Sequence, residues 1–345
     1  MSRMILVLAA VMTVGCSKAQ PGKTFTNPLL PSGPDPYSFY KDGFYYYTST
    51  SGDRLVLWKT KNITDLKTAE KKTIYTPPAG TMWSKQLWAP EVMFLRGKWY
   101  AYFAADDGDN NHHRMYVAEN ASADPMKGEW VLKGQLTDPS NKWAIDGDVF
   151  EYNGKLYMTW SGWEGDTNGQ QDICIAAMRD PYTIEGDRVR ISHPQYDWET
   201  HGDLGSKENP SHVNVNEGPQ FLQHNKDLFI VFSASGCWTD FYALGLLRLT
   251  GTDPLNAAHW TKHPQPVFKG SVANGVYAPG HNSFFKSPDG KEDWILYHAN
   301  PNPGDGCGNK RSPRAQPFSW NADGTPHFGE PVKEGHPLPL PSGSK

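Results

Sequence analysis

The sequence predicts an all-β chain folded as a five-bladed β-propeller, and three observations carry that expectation. A polar or acidic residue stands four positions ahead of an aromatic residue or leucine five times: Asp35 before Phe39, Glu91 before Leu95, Asp146 before Phe150, Glu217 before Phe221 and His281 before Phe285. Each is followed by a turn and a second strand-forming run, such as Phe44-Tyr45-Tyr46-Tyr47-Thr48 or Lys98-Trp99-Tyr100-Ala101-Tyr102-Phe103. The leading positions recur at intervals of 55 to 71 residues, enough for about four strands per unit. Aromatic residues make up 13% of the chain beside 33 Gly and 28 Pro, a balance that favours short strands joined by turns over helices.

Residues 1–16 carry Arg3 and then an apolar run too short to span a bilayer, which reads as an export signal. Thr13-Val14-Gly15-Cys16 resembles a lipobox, implying cleavage before Cys16 and a membrane-held lipid on it. A cut after Ala19 would instead release a soluble protein. Residues 17–27 are expected to be a tether, 28–335 the propeller and 336–345 a Pro/Gly/Ser-rich tail. With Cys16 lipidated, Cys174, Cys237 and Cys307 allow at most one disulfide. Cys174 lies in an apolar run suited to the core, and the lack of a CxxC pair disfavours a zinc-thiolate site.

Blade one follows Asp35, with Leu55-Val56-Leu57-Trp58 among its outer strands and 68–78 leading onward. Blade two opens with Gln86-Leu87-Trp88-Ala89-Pro90-Glu91, and its acidic stretch 106–111 reads as a hairpin tip, lacking the spacing of a calcium loop. Blade three runs from Asp146 through Trp163 to Cys174. A polar insertion, 196–214, precedes blade four and is placed to shape a mouth on one face. Blade five begins at His281. Asp42-Gly43, Arg96-Gly97 and Asn153-Gly154 supply the positive φ of tight hairpins in the first three blades.

If each leading residue opens the innermost strand of its blade, Asp35, Glu91, Asp146, Glu217 and His281 gather at one end of the central channel. Carboxyl groups brought so close raise one another's pKa values, a costly arrangement that marks functional sites. The formal net charge of −4 and the absence of a basic run argue against nucleic acid or an anionic membrane surface as partner. A neutral sugar is compatible with abundant Trp and Tyr platforms.

The motifs Asp35-Pro36-Tyr37, Trp88-Ala89-Pro90-Glu91, Ala144-Ile145-Asp146, Asn216-Glu217-Gly218-Pro219 and Gly280-His281-Asn282-Ser283, in that order, resemble glycoside hydrolase family 43 from about residue 27 to 329. The resemblance implies hydrolysis of furanosides or xylosides with inversion. It implies Asp35 as general base, Glu217 as general acid and Asp146 as the carboxylate that tunes the acid and orients substrate; Asp148 is a close competitor of Asp146. It sets His281 at the channel, where many members hold a calcium or other ion near the histidine, and Arg314 against the sugar; no cofactor is required for the chemistry. Glu91 is expected to line the mouth or orient a neighbour, and Trp88 and Trp163 to stack on sugar or pack beside a strand.

Inversion requires one carboxylate to activate water and one acid to protonate the leaving oxygen across the sugar. Repulsion from an ionised Asp146 would keep Glu217 protonated. Phe103-Ala104-Ala105-Asp106-Asp107-Gly108 and Trp160-Ser161-Gly162-Trp163-Glu164-Gly165-Asp166 look most like arabinofuranosidases, which implies exo-acting release of terminal arabinofuranose from plant polysaccharide or oligosaccharide. A β-xylosidase, a galactofuranosidase and a non-catalytic glycan binder are the rivals, the last disfavoured because all three acids are present.

Overall fold

The computed structural model describes residues 23–344. The export signal, the lipobox cysteine Cys16 and most of the expected tether lie outside the described residues. The rest is a ring of five antiparallel four-stranded meanders, whose inner strands are Tyr37–Lys41, Lys85–Leu95, Ala144–Tyr152, Asn214–His224 and Tyr277–Lys286. These five touch their neighbours in a closed cycle, the last against the first. Blades three and four are further stitched by a short parallel pairing of Gln170 and Gln171 with Asn214 and Val215.

The recurring aromatic of the repeat is the contact between blades. Phe39 lies edge-on to Trp99 of blade two at 5.9 Å, Phe150 stacks on Phe221 of blade four at 4.5 Å, and Phe285 of blade five meets Tyr45 of blade one at 5.5 Å. Such pairs add about 0.5–1.5 kcal/mol each beyond the apolar area they bury. Both residues of Asp42-Gly43, Arg96-Gly97 and Asn153-Gly154 have positive φ, as expected, and Asn225 takes that conformation in blade four. The stretch 68–78 is more than a connection, because Glu70–Tyr75 forms the fourth strand of blade one. Its Glu70, Lys71 and Lys72 are exposed on a sheet edge, so no apolar alternation announces it.

Closure uses both ends of the described chain. Thr24–Phe25 pairs with Leu338–Pro339, and the Leu29 and Gly33 amides donate to the Pro313 and Arg311 carbonyls of blade five. Asn27 acts as an extra rung: its side-chain nitrogen donates to the Ala315 carbonyl and its oxygen accepts from the Ala315 amide, each at 2.9 Å. Residues 336–344 lie against the blades. Leu338 and Leu340 pack onto the cluster around Phe25, Leu29 and Trp294, and Ser342 bonds to Asp289 and Glu292. Asn27 is 2% exposed, so Asn27→Ala, which orphans two backbone groups of Ala315, is expected to lower the unfolding free energy by about 2–4 kcal/mol. Chemical denaturation followed by Trp fluorescence checks this; a loss below about 0.5 kcal/mol would place closure elsewhere.

Candidate active site

At the head of each inner strand the chain kinks. Asp35, Ala89, Asp146, Gly218 and His281 all have φ between +43° and +58°, and in blades two to five the hairpin register slips at the kink. Bulges of this kind re-aim side chains at the rim of a sheet. Four of the five are not glycine, a strain of about 1–3 kcal/mol each that the surrounding packing must hold. Blade four uses Gly218, where an added Cβ would come within 3.3 Å of the His281 ring.

The kinks bring Asp35, Asp146, Glu217 and His281 to the wall of one cavity of about 420 Å³. The Gly218 amide donates to Asp146 at 3.0 Å, and the Tyr242 hydroxyl donates to Glu217 at 2.7 Å. Tyr242 is itself seated over Gly280, where a Cβ would fall 2.2 Å from its ring. Asp35 accepts from Thr50 at 2.6 Å and from Arg311 at 2.8 Å, and its amide donates to His298 Nδ1 at 3.1 Å. A nitrogen that accepts that bond carries no proton, so His298 is the neutral Nε2–H tautomer and the 3.5 Å approach of Nδ1 to the Asp35 carboxylate is no ion pair.

Asp35 is tuned apart from the other two acids. Burial alone would raise Asp35, but Arg311, with His281, His298 and the Thr50 hydroxyl, holds it well below the usual carboxylate range. At neutral pH the permanent Arg311 charge does this, since burial lowers the pKa of both histidines. Glu217 is pushed up to about 7, first by burial and then by the Asp35 charge, against the Tyr242 hydrogen bond and Arg311. Burial, more than the expected repulsion from Asp146, is the main cause. Asp146 is also raised, by burial and by Glu217 and Asp35, so the adjoining pair holds a proton far above the normal carboxyl range.

Glu91 is not in the mouth. The kink of blade two falls at Ala89, so Glu91 stands two residues further along, one step down the channel beside Asp148, Gln220 and Tyr37. It accepts from Gln220, and its other oxygen has no partner among the described residues. Asp148 accepts from the Phe221 amide at 2.6 Å and is raised to about 7 by burial. Asp146 rather than Asp148 is thus the residue at the cavity, as expected.

Trp88 lines the cavity, stacked on the buried His113 at 3.9 Å. Trp163 does not: it lies behind Trp143, 5.1 Å away and nearly parallel, and Trp143 faces the cavity. Arg314 is fully buried and pairs with Glu334 at 3.1 Å; the guanidinium at the site belongs to Arg311, just before the strand Ser312–Trp320. Residues three apart along extended chain point to opposite sides, so only one of the two arginines could reach the mouth. Sequence reasoning also missed Tyr242, His298 and Trp238; the one disulfide it allowed joins Cys237 to Cys307 and forms part of the wall, and Cys174 is free and buried. Leu204 and Val213 of the insertion do shape the mouth.

His281 Nδ1 lies 3.4 Å from Asp35, with Arg311 on the same carboxylate. Two imidazoles, one carboxylate and a guanidinium do not form the oxygen cage calcium takes, and among the described residues no group of three or more His, Cys, Asp and Glu is arranged for a metal.

The sequence matches the profile of glycosyl hydrolases family 43 over residues 25–326. It is 41% identical to an extracellular exo-α-(1→5)-L-arabinofuranosidase of Streptomyces avermitilis, covering 96% of this chain and 69% of that one. It is 34% identical to an enzyme of the same name from Streptomyces chartreusis, covering 85% and 90%. The crystal structure of an α-L-arabinofuranosidase from Lactobacillus brevis superposes with a TM-score of 0.82 at 36% identity, covering 90% of this chain and 98% of that one.

Arg311→Gln removes the fixed cation beside Asp35, so the NMR titration midpoint of the Asp35 carboxyl carbon is expected to rise by about 1 unit or more; an unmoved midpoint would hand the role to the histidines. A second expectation concerns stability. Asp148 is raised from its ordinary 3.8 to about 7, and Glu91 is raised too, so both favour the fold when protonated. For Asp148 that contribution is complete below about pH 4 and is lost as pH rises through about 7, and for Glu91 it is lost as pH rises through its own raised value. The melting temperature of Glu91→Gln is expected to fall less than that of the wild type between about pH 5 and 8; parallel curves would reject a proton held at this level.

Proposed function

The chain belongs to glycosyl hydrolases family 43, and from that premise we propose that it is an exo-acting, inverting α-L-arabinofuranosidase that takes terminal arabinofuranose from plant polysaccharides or oligosaccharides, with Asp35 as base and Glu217 as acid. The observation that carries this reading is one sugar-sized hollow in which Arg311 keeps Asp35 ionised while burial keeps Glu217 protonated up to about 7.

Asp35 takes a proton from a water whose oxygen then bonds to the anomeric carbon. The glycosidic C–O bond breaks on the opposite side, its electrons go to the leaving oxygen, and Glu217 supplies that oxygen with a proton. Asp146, tied to the amide next to Glu217, positions the acid and shares its proton. Trp88 and Trp143, each backed by a second ring, offer flat surfaces for the sugar.

Export belongs to the same proposal. It is supported by the signal-like residues 1–16, by a disulfide suited to an oxidising compartment, and by the word extracellular in the names of both Streptomyces relatives. Attachment through a lipid on Cys16 rests on Thr13-Val14-Gly15-Cys16 alone.

NMR of the product anomer during hydrolysis of arabino- and xylo-oligosaccharides tests substrate and stereochemistry together; inversion with arabinose released is expected, and retained configuration or xylose alone would overturn the reading. Glu217→Gln should cost about 10²–10⁴-fold in kcat on arabinan and clearly less on a dinitrophenyl arabinofuranoside, whose leaving group needs no proton. Equal losses on both would remove Glu217 from the role of acid.

A further inference from the structure

A second cavity, of about 610 Å³, lies on the other side of the active-site wall. The loop that follows Ala234 forms that partition. Cys237 and Trp238 face the catalytic hollow, whereas Asp240, Phe241 and Tyr242 line the second cavity. The loop of blade five divides likewise, with Cys307 and Arg311 on the catalytic side and Pro303 on the other. The disulfide between Cys237 and Cys307 and the bond from the Gly304 amide to Asp240 at 2.9 Å tie the two loops into one wall.

The second cavity has a distinctive lining. Phe241 is 59% exposed and Val272 80% exposed, a large apolar ring and a branched side chain left in water at one rim. The ring is nonetheless fixed, stacked on His201 at 3.7 Å and 12°. Trp198 and Tyr277 supply two more aromatic surfaces, Trp198 held by its indole nitrogen on the Pro264 carbonyl at 3.0 Å. Asp240 and Lys269 offset each other in charge and Gln265 adds an amide, so the lining offers hydrogen bonds without selecting a charged ligand. Fixed aromatic faces with scattered neutralised polar groups suit the C–H faces and hydroxyls of a sugar chain.

We propose that this cavity binds the polysaccharide itself, holding a neighbouring stretch of the chain while its terminal arabinofuranose sits in the catalytic hollow. The inference rests on the arabinofuranosidase reading. It makes the enzyme a polymer reader on the blade four to blade five side, and assigns Phe241 a role in substrate recognition with no part in bond cleavage.

The test compares Phe241→Ala and Val272→Asp with the wild type on two substrates, nitrophenyl α-L-arabinofuranoside and branched arabinan. Both variants are expected to lose about 5- to 20-fold in kcat/KM on arabinan and to keep the wild-type value on the nitrophenyl glycoside. In affinity electrophoresis, both should migrate faster than wild type through gels containing arabinan. Unchanged kinetics on arabinan, or equal losses on both substrates, would overturn the proposal. Failure of the wild type to turn over the nitrophenyl arabinofuranoside would instead reject the activity on which it rests.

Discussion

Asp35 belongs to the first blade, and Arg311, His281 and His298 all belong to the last, so the ion pair that makes the site exists only when the ring is shut. The closing contacts are local to it. Gly33 donates to the carbonyl of Arg311 itself, Asn27 is laced to Ala315 a few residues on, and Phe285 meets Tyr45 across the same seam. Asp35 is 7% exposed, and a buried carboxylate robbed of its cation costs several kcal/mol. The pair and the seam therefore stabilise each other: opening the ring exposes apolar rings and parts the ion pair in one event. This coupling explains how a closure made of short strands and single hydrogen bonds holds a catalytic geometry.

The channel carries acids at two heights, and its electrostatics differ between them. Residues two apart on a strand share a face, so the kink residues Ala89 and Asp146 lie above Glu91 and Asp148. At the upper level a guanidinium, a phenol and a backbone amide meet the carboxyls, and Asp35 is ionised while Asp146 and Glu217 hold a proton between them. At the lower level the partners are Gln220 and the Phe221 amide, with no cation beside them among the described residues, and burial drives the carboxyls towards their neutral form. The upper level therefore supports an acid and a base side by side, whereas the lower one is a hydrogen-bonded plug beneath them.

The sequence made the scaffold legible because strand pairing needs a period-two pattern and turns need glycine or asparagine, both of which survive in composition. Asp35, Asp146, Glu217 and His281 could be placed at one mouth because each precedes an aromatic that packs against a neighbouring blade. Glu91 was assigned one level too high because a positive φ at Ala89 leaves no mark in residue type. Arg311 and Trp143 went unnamed beside Arg314 and Trp163 because which side of an extended chain faces the channel depends on a start point that loops conceal. Glu70–Tyr75 and the closing residues 338–339 were missed for a related reason: an exposed edge strand has little hydrophobic alternation to show.

Strands and loops divide the work. The inner strands deliver the charged groups of the hollow, and their positions follow from the five-fold repeat. The shape of the hollow comes from elsewhere: from Leu204 and Val213 in the insertion, from Trp238, and from the wall closed by Cys237 and Cys307. A disulfide between residues 70 apart restricts the unfolded chain more than one closing a short loop, and here it also fixes two irregular segments that have no sheet to hold them. Both faces of that wall are lined by side chains of the same two loops, so one covalent tie sets the width of the catalytic hollow and the position of Phe241 beyond it. The shape of the hollow is consequently written in the insertion and in the loop pairing of blades four and five, where residue type and spacing say least, while its charges are written in the strands, where they say most.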